Sequence, residues 1–365
     1  MNRNRLVALA VVTLLAVAAA LWLARPADDG SGNRPVLVPG LQNAVNDVAA
    51  LDVIAPAGEV AVRLRREQAR WRVVERDGYE ADFAQVVDLL RTLREARRAE
   101  PKTSNPGWYA RLGVAEPGAG QGAGTGLAFP GMEFETLIVG DTDPTGSGSY
   151  VRLRGAERAW LADRVIELPA DPVAWLEPGI MDIPAEDIAE LVIEHPDGTT
   201  VRLQRAGEGE ALSFVLRDVP GGREAGPAWK RMGTAAALEG LNLDDVRAAE
   251  ESEADGAIRA RWITTDGLEF AARIRQAGDG AWVRFRVRAV GGDDGDMGDP
   301  ASARASGASD ATGDGEAMTV AERAAAVDER LSPWEFRVVE RKAEAMTRSV
   351  EDFLEPPAED QSVSD

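Results

Sequence analysis

The strongest constraint on this chain is an unbroken apolar run near its start, Leu6 to Ala24 (LVALAVVTLLAVAAALWLA), in which Thr13 is the one polar side chain. Arg3 and Arg5 precede it, and Arg25, Pro26, Asp28 and Asp29 follow. At about 1.5 Å per residue a helix of this length matches the roughly 30 Å hydrocarbon core of a bilayer. Basic residues ahead of such a segment favour the cytoplasmic side. Residues 6–24 therefore read as a single-pass anchor in the inner (cytoplasmic) membrane, with the N-terminus cytoplasmic and the bulk of the chain periplasmic. A cleaved signal peptide is the rival reading, with an A-x-A-like site at Ala18 and Ala20. Leu21, Trp22 and Leu23 carry the run past that site and favour the uncleaved anchor.

Charge and composition narrow the function classes. The formal net charge is −21, which repels phosphate backbones and excludes nucleic acid as an expected partner. The chain has no cysteine, which removes disulfides, thiolate nucleophiles and zinc–cysteine sites. Its one histidine, His195, removes multi-histidine metal sites. No cofactor is expected.

Alternation and helical periodicity divide the rest. Residues 26–45 are rich in Gly, Pro and Asn and read as a flexible tether. Leu51–Val53, then Val60, Val62 and Leu64, then Trp71 and Val73 read as short half-buried strands. Phe83, Val86, Val87, Leu90 and Leu93 fall on one face of an amphipathic helix over 80–98. The order then returns. Asp47–Gly58 aligns with Asp187–Gly198 at five identical positions, and Val62-Arg63-Leu64 answers Val201-Arg202-Leu203. A looser third copy runs through Ile258–Val287 around the Asp266-Gly267 turn. The expected fold class is therefore α+β: an N-terminal transmembrane helix, then duplicated antiparallel β-hairpin–strand–helix units forming two sheet-plus-helix subdomains. The expected domains are an anchor at 1–25, the tether at 26–45, a first repeat domain at 46–180 and a second at 181–355. Residues 289–318, rich in Gly, Ala, Asp and Ser, read as a disordered insertion in the second domain, and 356–365 as an acidic tail. Trp334, Phe336 and Val338 read as a late strand, followed by a helix striped by Ala343, Met346 and Val350.

No segment carries a catalytic or metal-binding signature. The glycine run Gly118–Gly126 lacks the strand before and helix after that a dinucleotide fingerprint needs. Asp141, Asp143, Ser147 and Ser149 share one loop but do not match a calcium loop, and Asp293, Asp294, Asp296 and Asp299 lack a spaced bidentate glutamate. His195 sits in a hairpin turn whose counterpart in the first copy is Ala55. Trp71, Trp282 and Trp334 lie in strand-like runs and read as core. Trp108 and Tyr109, beside the Pro/Asn/Gly-rich Ser104–Gly107 stretch, are the pair to test for surface binding.

Taken together, the anchor, the hairpin–Trp–helix block Leu51–Leu93, Tyr109-Ala-Arg-Leu-Gly-Val-Ala-Glu-Pro117, Leu137-Ile-Val-Gly140 with Tyr150-Val-Arg-Leu153, Trp175-Leu176 and the Trp334–Leu354 block resemble the bacterial family called domain of unknown function 4340. That resemblance implies a membrane-tethered extracytoplasmic accessory protein that accompanies gliding-motility-type ABC transporter components, and it supplies no catalytic residues. The expected function is thus a non-enzymatic accessory or assembly protein whose partners are envelope proteins, ABC transporter subunits among them, and the lipid bilayer through residues 6–24. A carboxylate-dependent cell-wall or polysaccharide hydrolase and a small-ligand or calcium-binding module are the alternatives.

Overall fold

The computed structural model describes residues 34–250, 256–278, 280–290 and 318–356. The expected anchor, residues 26–33 of the tether, nearly all of the acidic insertion and the tail beyond Pro356 lie outside these residues. The rest of the expected tether, 34–45, is instead packed: it carries a short helix over Leu41–Ala44 and buries Leu37, Val38 and Leu41, whose apolar side chains hold it to the first unit. Among the described residues no helix is long and apolar enough to cross a membrane. The chain divides into two compact units. One holds the residues up to Arg72 together with Phe83–Trp175, and the other holds Val73–Asp82 together with the residues from Leu176 onward.

In the first unit lie β1 (Ala50–Ile54), β2 (Val60–Glu67) and β3 (Arg70–Val73); β4 (Tyr79–Glu80) falls in the second. Helix α1 (Phe83–Glu95) follows, then β5 (Arg98–Pro101), β6 (Thr125–Ala128), β7 (Leu137–Thr142), β8 (Ser149–Leu153) and β9 (Trp160–Ala162). Their order in the antiparallel sheet is β3-β2-β1-β6-β7-β8-β9-β5. Helix α1 buries Val86, Leu89 and Leu93. Of the stripe expected from sequence only Val86 and Leu93 are fully buried; Leu89 replaces Leu90, which is half-buried like Val87, and Phe83 at the helix start is exposed.

The second unit has the longer strands. It comprises β10 (Gly179–Met181), β11 (Ile188–Glu194), β12 (Thr200–Ala206), β13 (Ser213–Leu216), the short helix α2 (Ala228–Ala235), β14 (Leu241–Asn242) and β15 (Asp245–Ala248). Then come β16 (Ile258–Thr264), β17 (Leu268–Ala277), β18 (Gly280–Ala289), α3 (Val320–Leu331), β19 (Trp334–Val339) and α4 (Glu340–Met346). An eight-stranded antiparallel sheet runs β13-β12-β11-β16-β17-β18-β19-β15. Its core face carries Phe214, Trp262, Phe285 and Phe336, all fully buried. Residues 73–82 are tied into this unit at the β15–β19 edge. Arg76 pairs with Asp245 at 2.6 Å, the Ala248 N–H donates to Asp77 at 2.9 Å, and the Tyr79 ring meets Trp334 edge-on at 5.0 Å.

The two aligned hairpins close in the same way. Ala55 N–H donates to Glu59 O and Gly58 N–H to Ala55 O; His195 N–H donates to Thr199 O and Gly198 N–H to His195 O. Gly58 and Gly198 both take positive φ, which is why glycine stands at the same place in each.

The expected α+β class of sheet-plus-helix repeats is nevertheless corrected. Antiparallel sheet dominates, and only about a quarter of the structure is helical. The helix after the second hairpin is a short eight-residue piece, and the Ile258–Val287 stretch is not a third unit but two long strands and part of a neighbour inside the same eight-stranded sheet. Strand-pairing hydrogen bonds along ten-residue β17 and β18 outweigh anything a repeat boundary could offer. The expected anchor helix forms no part of the described structure. One helix went unread: α3 opens on a capping box, in which the Thr319 side chain accepts from the Glu322 N–H and Glu322 accepts from the Thr319 N–H.

An arginine face on the second sheet

The site that stands out is built by strand alternation. In β16, β17 and β18 the side chains alternate strictly between faces. Ala260, Trp262, Phe270, Ala272, Ile274, Val283, Phe285 and Val287 point into the core. The other face receives Arg259 and Arg261 from β16, Arg273 and Arg275 from β17, and Arg284, Arg286 and Arg288 from β18, all half-buried or exposed. Register sets them side by side: Arg259 opposes Arg273, Arg273 opposes Arg284, and Arg261 and Arg286 flank Ala271. On the same face of these three strands stands one carboxylate, Glu269. This is a concentrated positive surface on a chain whose formal net charge is −21.

Carboxylates at the margins answer some of the charge. Glu269, buried, takes Arg288 at 3.0 Å. Glu335 on β19, also buried, takes Arg247 at 2.6 Å and pairs with Arg275. Arg261 meets Glu194 at 3.5 Å, and Arg286 meets Asp328 of α3 at 3.6 Å. The Arg247 guanidinium also lies 4.1 Å from the centroid of the Trp282 ring. Trp282 therefore belongs to this polar face, a correction of its assignment to the core. Arg259 and Arg273, at the centre, have no carboxylate within ion-pair distance among the described residues, and the buried Nε of Arg273 has no hydrogen-bond partner. Like charges directly opposite one another in a ladder are destabilising. Arg259 and Arg273 thus face each other directly, while Arg284, next in the row, also faces Glu335 of β19 in register.

The residues singled out from sequence fall elsewhere. Trp108 is exposed, its ring 5.2 Å from the Arg111 guanidinium. Tyr109 is buried: its hydroxyl donates to the Glu157 carbonyl, and its ring stacks 4.5 Å from the guanidinium of Arg152. The neighbours thus point apart, and only Trp108 is available at the surface. Arg152 is itself buried, and each of its three guanidinium nitrogens is engaged, donating to Val114 O, Ala156 O and Glu116 Oε1. His195 brings Nε2 to 3.2 Å from the Arg348 carbonyl. The Asp143 carboxylate accepts from Thr145, Ser147 and the Tyr150 hydroxyl, bonds that hold it below the usual carboxylate range and fix the 143–149 turn. Among the described residues no cluster of acidic or histidine side chains is arranged to hold a metal ion. The glycine run packs as a turn: a Cβ on Gly122 would stand 2.3 Å from the Ala110 carbonyl oxygen.

The fold and this face define a two-unit antiparallel β protein with an extended cationic sheet surface. The family model for Domain of unknown function (DUF4340) matches residues 71–257, just over half of the chain, and the protein belongs to that family. No curated protein and no solved structure matches it.

Proposed function

We propose that this protein is a non-enzymatic docking module, tethered to the inner membrane by residues 6–24, whose arginine face binds an acidic surface of another envelope protein. The observation that carries the reading is the row Arg259–Arg273–Arg284 on the polar face of β16–β17–β18. Three features favour an acidic protein over an anionic lipid surface or a nucleic acid. The chain as a whole is strongly acidic, so a uniformly anionic partner is repelled at long range. The positive charge is confined to one face, where it acts within a screening length of about 8–10 Å. The guanidiniums follow strand and register spacings of about 5–7 Å, which suit carboxylates presented by a folded partner. Subunits of an ABC-type export or gliding-motility-like complex are the partners that the family resemblance brings forward.

The test is charge reversal in the full-length protein: Arg259→Glu with Arg286→Glu. Recovery of its crosslinked partner from native membranes should fall at least tenfold, and glutamate-to-arginine changes in the partner's crosslinked segment should restore it. Undiminished recovery by the double variant contradicts the reading.

A further inference from the structure

We propose that a cleft in the first unit, separate from the arginine face, binds a small carboxylate with an apolar body, its head held by Arg98 and Arg158. The cleft encloses about 360 Å³, within the range of small-molecule sites. Its floor is core: Leu37, Leu137 and Val151 are almost wholly buried there. Trp160 forms one wall, and the exposed Ser104, Glu157 and Arg158 complete the lining, so that one carboxylate shares the cleft with the arginines.

The cationic groups around it are unequal. Arg152 lines the cleft, but its donors are engaged by Val114, Ala156 and Glu116, so it is structural. Arg98 is half-buried. It donates one hydrogen bond to the Leu37 carbonyl at 3.0 Å and lies 5.9 Å from the Trp160 ring centroid. No carboxylate pairs with it among the described residues, and burial holds its pKa below the usual arginine value. Arg158 spends only Nε, on the Ser104 hydroxyl at 3.2 Å, and it too has no carboxylate partner among the described residues. A half-buried cation without an anion carries a desolvation cost that a charged partner offsets. A guanidinium fork is shaped for a carboxylate, and two forks above an aliphatic floor with an indole wall select an acid that also carries apolar surface. The inference does not depend on the docking reading or on the membrane placement of the chain.

The test is saturation-transfer NMR on the purified full chain, with hexanoate and its neutral analogue hexanamide as probes. Hexanoate is expected to bind at least about tenfold more tightly than hexanamide, and both Arg98→Gln and Arg158→Gln to weaken it by a similar factor. Arg158 is an exposed rim residue, so its variant keeps the test sound if the Arg98 variant folds poorly. A second pair, acetyl-Val-Leu with a free carboxylate and with an amide, identifies the source. Tighter binding of the free peptide than of hexanoate assigns the site to a chain terminus, and weaker binding assigns it to a free acid. Equal binding of hexanoate and hexanamide, no hexanoate binding at millimolar concentration, or hexanoate binding untouched by Arg158→Gln overturns the proposal.

Discussion

Arg273 stands directly opposite Arg284 across the β17–β18 ladder and opposite Arg259 across β16–β17. Three guanidiniums in one row of a sheet repel one another at the expense of the fold. Arg273→Gln is therefore expected to leave the thermal midpoint unchanged or raise it, by the equivalent of about 0.2–1 kcal/mol, while reducing partner recovery. Differential scanning calorimetry alongside crosslinking yield checks this. A clear drop in midpoint would mean that Arg273 is structural.

Glu335 is the counterweight. Buried on β19, it pairs with Arg247 and Arg275 and faces Arg284 in register. Glu335→Gln leaves these arginines to repel one another and should destabilise the second unit by about 1–3 kcal/mol, less than breaking a fully buried pair because its partners remain partly exposed. Added salt should recover part of the loss. A loss insensitive to salt would assign Glu335 a packing role.

Tyr79 carries a pH signature. Burial against Trp334 and Phe336 pushes its hydroxyl from 10.0 up to about 12, with Glu177 and Glu80 adding to the rise and Arg330 opposing it. Below pH 10 both folded and unfolded chains keep the proton, and the contribution to stability is fully present. Between pH 10 and about 12 the unfolded chain ionises first, so stability falls as pH rises and the contribution is lost above the folded value. Tyrosinate absorbance should show Tyr79 titrating together with unfolding of the second unit in this window, and Tyr79→Phe should remove that step.

Gly148 tests the packing of the first unit. A Cβ there would stand 1.9 Å from the backbone oxygen of Ala162, which no rotamer change relieves. Gly148→Ala should lower stability by about 1–3 kcal/mol, read as a reduced thermal midpoint. Gly146→Ala, where nothing lies within 4 Å but φ is +72°, should cost less.

Local signals were the legible part of this fold. The paired hairpins were written in Pro56-Ala-Gly58 and Pro196-Asp-Gly198 flanked by alternating apolar residues, and α1 in its 3.6-residue period, although packing turns Leu89 inward and leaves Phe83 exposed. The arginine face was also written, as Arg at every second position in Arg259/Arg261, Arg273/Arg275 and Arg284/Arg286/Arg288. A net charge of −21 is a sum over the chain and conceals a face, and only the β16–β17–β18 register brings the three short runs together. The capping box Thr319-x-x-Glu322 was readable but adjoined the low-complexity segment and was absorbed into it. That Tyr109 turns inward while Trp108 turns out depends on the 3₁₀ geometry of Pro106–Leu112, which composition does not reveal. The membership of residues 73–82 in the second unit rests on contacts with β15 and β19, far away in sequence.

The most direct measurement is site-specific photocrosslinking in the native membrane, with the probe placed at Arg259 or Arg286 and, as a control, at Trp229, exposed on α2. A defined envelope protein is expected to be joined through a segment rich in aspartate and glutamate from the two arginine positions, with yield falling as salt rises, and no such product from Trp229. Equal products from all three positions, or none from the arginine face, would contradict it.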